Sequence, residues 1–200
     1  MIAITGGGTG GHLAVAAAVA DALNDIGIPA IFIGSSHGQD RQWFEGDSRF
    51  SHAYFLPTRG VMNKGLFGKV FSLATIGAQS IRILRYFRRH RIKGVLSVGG
   101  YAAAPAAFAA ILSRTPLCIH EQNAVTGSLN RLLTPFAKAL FSSFHTPTPC
   151  PDYPIRPAFF QSARKRETVG HVIFLGGSQG ATAINDLAIA LVDDGNPRPV

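Results

Sequence analysis

The chain has 200 residues, of which 46% are hydrophobic and 15% charged, so it is a folded globular protein rather than a disordered one. Two cysteines are too few for a disulfide framework, and no cysteine–histidine cluster has the spacing of a zinc site. Neither a secretory signal nor an uncharged apolar run of about 18 residues is present, which predicts a reducing, cytoplasmic setting.

Apolar runs and helical patterns alternate along the chain. The apolar runs predict strands at residues 1–5, 28–34, 52–57, 94–101, 116–123 and 139–144. The segments between them predict helices at residues 13–26, 64–93, 105–112 and 127–135, with Gly27 as the stop of the first helix. This alternation indicates an α/β fold on a parallel, Rossmann-like sheet.

A proline-rich segment at residues 146–157 predicts a crossing between two domains. One further strand, glycine loop and helix follow at residues 171–192, and a unit of this size is too small to bury a core of its own. We therefore expect a first domain over residues 1–157 and the incomplete beginning of a second domain over residues 158–200.

The net charge of +8 is concentrated in one segment. Between Ser48 and His120 the chain has eleven Lys and Arg residues but no Asp or Glu. This segment should therefore carry a strong positive field, which suits a polyanion or an anionic membrane.

Paired glycines end three of the predicted strands, in TGGGTGG (5–11), SVGGY (97–101) and FLGGSQGA (174–181). Strand carboxyl ends face the ligand crevice of a parallel α/β sheet, and bare backbone N–H groups there predict diphosphate binding. Tight turns between strand and helix also use glycine without a ligand, but three such loops at three strand ends favour a ligand.

Gly6, Gly8 and Gly11 formally satisfy the G-x-G-x-x-G pattern of dinucleotide-binding folds. That interpretation needs an acidic residue at the end of the second strand to hold a ribose. No acid follows that strand until Asp40, so the sequence disfavours a nicotinamide cofactor.

Polar side chains accompany two of the strand ends. His12 closes the first glycine loop, where an imidazole can act as a general base, bind phosphate oxygens or merely cap the helix. The run His120, Glu121, Gln122, Asn123 ends a buried strand on the same side of the sheet. Core packing does not explain four polar residues there; they belong to a site or, for Gln122 in particular, to a network that holds the loops.

The ordered set of motifs resembles the MurG family of glycosyltransferases, which have the GT-B fold. TGGGTGGH, SVGGY, IHEQN and LGGSQGA after a proline-rich crossing carry this resemblance, which runs from residue 1 to about residue 191. It implies an inverting, metal- and cofactor-independent transfer of N-acetylglucosamine (GlcNAc) from UDP-GlcNAc. The acceptor would be lipid I, undecaprenyl-diphospho-MurNAc-peptide, and the product lipid II of peptidoglycan synthesis, made at the cytoplasmic face of the inner membrane.

The resemblance also implies roles for individual residues. The implied catalytic residues are His12, Glu121 and Tyr101, and the choice of base between His12 and Glu121 stays open. The implied substrate-binding residues are Thr9, Gly10, Gly11, Asn123, Asn130, Arg156 and Ser178. Of these, Thr9 to Gly11 would line the donor sugar and phosphates, Asn123 would contact GlcNAc, and Arg156 and Ser178 would lie at the diphosphate.

The cationic segment also holds apolar residues at helical spacing, such as Phe67, Val70 and Phe71. Basic and apolar residues together suit the surface of an anionic bilayer, although a core helix with a solvated basic face gives the same pattern. Nucleic acid would fit the charge, but the sequence has no nucleic-acid-binding motif.

The sequence departs from the family in two respects. Leu13-Ala14-Val15-Ala16 follows the first loop, where the family usually has an aromatic residue and a proline. The chain is also too short for a second GT-B domain with its uracil and ribose contacts, which predicts a truncated form that is inactive alone. Open alternatives are a GT-B transferase with a soluble acceptor, a non-catalytic membrane-binding module and a nicotinamide-binding domain.

Overall fold

A computed structural model of the chain describes residues 1–58, 65–161, 164–165, 167–168, 170, 172–176 and 181–193. The chain divides into two compact units, Met1–Pro157 and Ala158–Val200. The boundary falls at the end of the proline-rich segment. The roles of the two units in acceptor and donor binding stay predictions.

The first unit is built on a six-stranded sheet in which every pairing is parallel. Its strands are β1 (Ile2–Thr5), β2 (Ala30–Ser35), β3 (His52–Leu56), β4 (Gly94–Ser97), β5 (Leu117–His120) and β6 (Ala139–Phe141). The spatial order is β3-β2-β1-β4-β5-β6, so the order reverses between β1 and β4. The predicted parallel α/β fold is confirmed, and ligands of such sheets bind where the order reverses.

Helices connect successive strands. They are α1 (Gly10–Asp25), α2 (Asp40–Phe44), α3 (Leu66–His90), α4 (Ala104–Ser113) and α5 (Ser128–Leu133), with short 3-10 turns at Tyr101–Ala103 and Thr134–Phe136. The second unit contains α6 (Ala158–Gln161) and α7 (Thr182–Asp193). No helix among the described residues is long and apolar enough to cross a membrane.

Each face of the sheet buries its own hydrophobic cluster. Successive side chains of a strand point to opposite faces, so Ile31 and Ile33 join one cluster and Phe32 joins the other. Residues from α3 and α4 complete the first cluster, and residues from α1 and α2 complete the second. Burial on both faces explains why the strands read as continuous apolar runs.

Two predicted boundaries near the first loop were wrong. Helix α1 begins at Gly10 rather than at residue 13, because the first N–H groups of a helix need no intrahelical partner and glycine is tolerated there. Strand β2 begins at Ala30, because the N–H group of Ile28 still donates to the Leu23 carbonyl and closes the end of α1. Gly27, with φ +71°, does stop that helix as predicted.

The predicted strand in the second unit was also wrong for the described residues 172–176, which form no strand. A strand needs a neighbour to receive its N–H and C=O groups, and none of the described segments of this unit supplies one. The helix predicted after the glycine loop is present as α7.

Candidate functional site

The glycine loops after β1 and β4 pack directly against each other. The N–H group of Gly7 donates to the Gly99 carbonyl at 3.1 Å. A Cβ on Gly6 would overlap the carbonyl oxygen of Gly99, and a Cβ on Gly100 would overlap that of Gly7. These glycines are therefore required by the approach of two loops, whether or not a ligand is bound.

Residues 9 to 12 lie at the edge of this contact and begin helix α1. Thr9 has extended backbone angles, and its hydroxyl hydrogen-bonds to His12 Nδ1 at 2.8 Å instead of capping the helix. No side chain of the described residues caps α1. The N–H groups of Gly10, Gly11 and His12 are therefore available to an oxyanion, and the helix dipole favours negative charge there.

The imidazole of His12 is half-buried between Thr9 and the second glycine loop. Its Cδ2 and Nε2 atoms would lie 3.0 Å from a Cβ on Gly99, so glycine leaves room for the ring. Burial lowers the pKa of His12, and the nearby Glu121 carboxylate raises it less. The ring is therefore neutral near pH 7, and in the tautomer whose Nδ1–H donates to the Thr9 hydroxyl its Nε2 can accept a proton.

Glu121 is buried at the end of β5 and surrounded by four donors. They are the N–H group of Asn123 at 2.9 Å, its Nδ2 at 3.1 Å, the N–H group of Gly127 at 2.9 Å and Nδ2 of Asn130 at 2.9 Å. Burial raises the pKa of Glu121, but these hydrogen bonds together hold it below its ordinary value. Glu121 thus orders the turn 121–127.

The two asparagines bound to Glu121 occupy different environments. Asn123 is exposed, and Glu121 fixes its side-chain NH₂ group, which leaves its Oδ1 free to meet a ligand. Asn130 is buried, and its Nδ2 would lie 3.5 Å from a Cβ on Gly99. The buried side chain of Asn130 therefore links the turn 121–127 to the second glycine loop.

Tyr101 braces the first glycine loop. Its hydroxyl donates to the His37 carbonyl at 3.0 Å, and its ring would lie 3.0 Å from a Cβ on Gly8. With the hydroxyl engaged in this way, the contacts of Tyr101 are those of a residue that holds the loop.

Sequence reasoning missed Asp40, which it noted only as the first acid after the second strand. The carboxylate is buried and receives the N–H groups of Gly8 at 2.6 Å and Ser35 at 2.7 Å. Its position as the first acid after β2 was the available signal, but its partners are distant in sequence.

The proline-rich segment returns to the end of β5. The Tyr153 hydroxyl donates to Gln122 Oε1 at 3.2 Å, and its ring meets that of His120 edge-on at 5.5 Å. Gln122 therefore belongs to a network that holds neighbouring segments, as one of the two sequence interpretations has it. His120 is 3% exposed, and neither of its ring nitrogens has a hydrogen-bond partner among the described residues.

One implied substrate residue, Arg156, is not brought to this edge. Arg156 is exposed, and its Nε lies 3.7 Å from the carboxylate of Asp21, roughly 16 Å along α1 from Gly10 at 1.5 Å per residue. Ser178 lies outside the described residues. The expected contacts of Arg156 and Ser178 with a diphosphate stay predictions.

Helix α3 is exposed at its beginning and buried further on. Phe67 is 91% exposed and Phe71 75% exposed, and Lys69 lies between them. Later residues such as Ile83 and Phe87 join the core. The core interpretation thus applies to the later part of α3, and the membrane interpretation stays a prediction for its exposed beginning.

Residues 2–142 match the family model described as the glycosyltransferase family 28 N-terminal domain. The chain belongs to glycosyltransferase family 28. It is 50% identical over 194 residues to the UDP-N-acetylglucosamine--N-acetylmuramyl-(pentapeptide) pyrophosphoryl-undecaprenol N-acetylglucosamine transferase of Helicobacter pylori (strain G27), covering 94% of this chain and 54% of the relative. A transferase of the same name from Campylobacter fetus subsp. fetus (strain 82-40) is 52% identical over 191 residues, which are 96% of this chain and 56% of that protein.

Among solved structures, MurG of Acinetobacter baumannii superposes with a TM-score of 0.63 at 28% identity, covering 78% of this chain and 45% of that one. The predicted resemblance to the MurG family is therefore confirmed, and with it membership of a glycosyltransferase family. The chain spans about half the length of the curated relatives that it matches.

Proposed function

We propose that this family 28 chain forms the acceptor-binding half of an inverting transferase that moves GlcNAc from UDP-GlcNAc to lipid I, producing lipid II for peptidoglycan. The observation that carries the proposal is the identity of about half its residues, over 94% of the chain, with transferases named for this reaction. The grouping of residues 9–12, Glu121 and Asn123 at one sheet edge supports it. No metal or cofactor enters the proposal.

The chemistry of the groups at this edge supports these substrates. The free N–H groups at the start of α1 suit a diphosphate oxygen, which both substrates carry. The fixed amide of Asn123 suits a sugar hydroxyl or the acetamido group of GlcNAc. The second unit, with Ser178, would contribute to the donor nucleotide site.

His12 is the proposed general base. The C4 hydroxyl oxygen of the muramoyl sugar attacks the anomeric carbon of GlcNAc, and UDP leaves from the opposite face with the bonding electron pair. The hydroxyl proton passes to Nε2 of His12. Burial lowers the pKa of this imidazole, which keeps it unprotonated before the transfer. Glu121, saturated by four donors, would position Asn123 instead of taking the proton.

The exposed beginning of α3 is the proposed membrane contact. Phe67, Val70 and Phe71 can enter the headgroup region, while the acid-free cationic segment around them is attracted to anionic lipids. This would place the chain as a peripheral protein on the cytoplasmic face of the inner membrane, where lipid I is presented.

Flotation of the folded chain with vesicles tests the acceptor assignment. Binding to phosphatidylglycerol vesicles should fall with salt, because exposed charges are screened. A lipid I analogue in the vesicles should add binding that persists at high salt. If a folded chain shows no such increase, lipid I is excluded as the acceptor, and a transferase with a soluble acceptor is favoured.

The same assay separates the membrane contact from the acceptor site. The double change Phe67→Ser and Phe71→Ser should weaken binding to vesicles without the analogue, because two exposed anchors are lost. Ile26→Ser is the matched control, since Ile26 is an exposed apolar residue at the end of α1. Equal loss in both variants would count against α3 as the contact.

A further inference from the structure

Asp40 is a buried carboxylate that the proposed transfer does not use. It lies at the start of α2 and is 0% exposed. It forms no ion pair with any described residue, and the neighbouring Arg41 pairs with Glu45 instead. Burying a carboxylate without a cation is costly unless hydrogen bonds replace the lost hydration. The donors that do so here belong to the candidate site itself.

Two backbone N–H groups from neighbouring strand ends meet on this carboxylate. Gly8, in the loop after β1, donates to Oδ1 at 2.6 Å, and Ser35, the last residue of β2, donates to Oδ2 at 2.7 Å. Burial raises the pKa of Asp40, and these two hydrogen bonds oppose the rise. The carboxylate thus ties the glycine loop to the adjacent strand.

The surrounding glycines let the backbone close around Asp40. A Cβ on Gly7 would overlap the carboxylate, and a Cβ on Gly34 would lie 2.7 Å from Oδ2. Gly8 has φ +86°, a conformation that favours glycine. The Tyr101 ring closes the other side of Gly8. The loop is therefore shaped around a side chain of the protein.

Glycine-rich turns that bind phosphate do so with converging backbone N–H groups. In this chain Asp40 already occupies the N–H groups of Gly8 and Ser35. An external oxyanion finds those donors engaged, and the negative charge of Asp40 opposes its entry. The N–H groups of residues 10–12, at the start of α1, have no such partner among the described residues and are left for an anionic ligand.

We infer that Asp40 is a positioning residue. Its carboxylate lies inside the first glycine loop and accepts the backbone hydrogen bonds that a bound anion would otherwise accept there. It thereby holds residues 9–12 in the orientation that receives the ligand and confines a diphosphate to the α1 side of the crevice. The identity of that ligand rests on the proposed function, whereas the effect of Asp40 on the loop does not.

The test compares Asp40→Ala and Asp40→Asn with the unchanged chain. Asp47→Asn is the matched control, because Asp47 lies in a nearby turn and its carboxylate binds Arg49 instead of the loop. Amide resonances of Gly8, Ser35 and residues 10–12 report the loop. The single tryptophan, Trp43, gives a second signal, since its ring would lie 3.7 Å from a Cβ on Gly10.

In the unchanged chain, the chemical shifts of the Gly8 and Ser35 amides should change with pH around one common midpoint. Asp40→Asn should abolish this change. Asp40→Ala should shift the amides of residues 10–12 and the Trp43 emission, and should weaken binding of a soluble lipid I analogue at least ten-fold. Formate should reverse these changes in Asp40→Ala but not in Asp40→Asn, because it fits the space of the deleted carboxylate. Asp47→Asn should change none of them.

Unchanged amides of residues 10–12 in a folded Asp40→Ala chain would overturn the inference. So would a lowered melting temperature without formate reversal, because that result describes a purely structural residue. If the unchanged chain binds no analogue, the proposed function fails, while the amide and formate measurements still decide the role of Asp40.

Discussion

His12 and Glu121 lie close together but differ in the number of groups that bind them. Among the described residues, the imidazole of His12 has one hydrogen-bond partner, the hydroxyl of Thr9, whereas the carboxylate of Glu121 receives four donors. A general base needs a free lone pair and a pKa near the working pH. Glu121 has neither, because its acceptor sites are filled and its pKa is held low. The geometry therefore favours His12.

Replacing His12 should remove the proposed general base while leaving the fold intact. In a chimera that joins residues 1–157 to the remaining half of the Helicobacter pylori relative, His12→Gln should lower GlcNAc transfer by about 10²- to 10⁴-fold. His52→Gln, at an exposed histidine of β3, is the control and should keep full activity. Radiolabelled GlcNAc incorporation measures both, and near-normal transfer by His12→Gln would exclude it as the base.

Glu121 should make stability depend on pH. Its folded pKa lies below the unfolded value of about 4.3, so its contribution is present above that pH and is lost as the pH falls through the folded pKa. Glu121→Gln places a side-chain NH₂ group next to N–H donors that need an acceptor. The free energy of unfolding should fall by about 1–3 kcal/mol near pH 7, and by less in acid. Urea unfolding from pH 7 to pH 3 measures this. Glu45→Gln, at an exposed ion pair, should have little effect.

At the scale of elements, the glycine loops after β1 and β4 pack together without room for a side chain at Gly100. Gly100 has φ 77° and ψ 162°, which only glycine adopts readily, and a Cβ there would overlap the Gly7 carbonyl. Gly100→Ala should therefore destabilise the chain by about 3 kcal/mol. Gly77→Ala, in the middle of α3 with nothing within 4 Å of its Cβ, should stabilise by about 0.5–1 kcal/mol. Urea unfolding should therefore give free-energy changes of opposite sign for the two variants. No change in Gly100→Ala would contradict the close packing of the two loops.

Elements with a clear apolar or helical pattern were predicted, whereas a short helix and a glycine-rich helix start were not. The long pattern of α3 and the apolar runs of β1, β4 and β5 were readable, because burial on both faces leaves a continuous signal. The start of α1 was misplaced because its first turn contains two glycines. Helix α2 was not predicted, since Asp40–Phe44 is too short to show a helical period.

At the scale of the whole molecule, the candidate site is a meeting of three strand ends. The sequence indicated which strands end in glycine or polar residues, and a parallel sheet brings those ends to one edge. It could not indicate that Asp40 fills the first loop or that Tyr153 returns to Gln122, because both contacts join residues far apart in the chain. Such pairings depend on the strand order, which no local pattern determines.

Both hydrophobic clusters lie entirely within residues 1–157, so this unit should fold without the rest. The described side chains of the second unit are mostly exposed, including Val172, Ile173 and Leu175. A chain ending at Pro157 should therefore melt within about 3 °C of the complete chain, since a 1 kcal/mol loss shifts the melting temperature of a protein this size by about 2–4 °C. Removing residues 142–157 as well should lower it further, because the contacts of Tyr153 and Arg156 are lost. Scanning calorimetry decides this, and a large drop on removing residues 158–200 alone would mean that the first unit depends on the second for its stability.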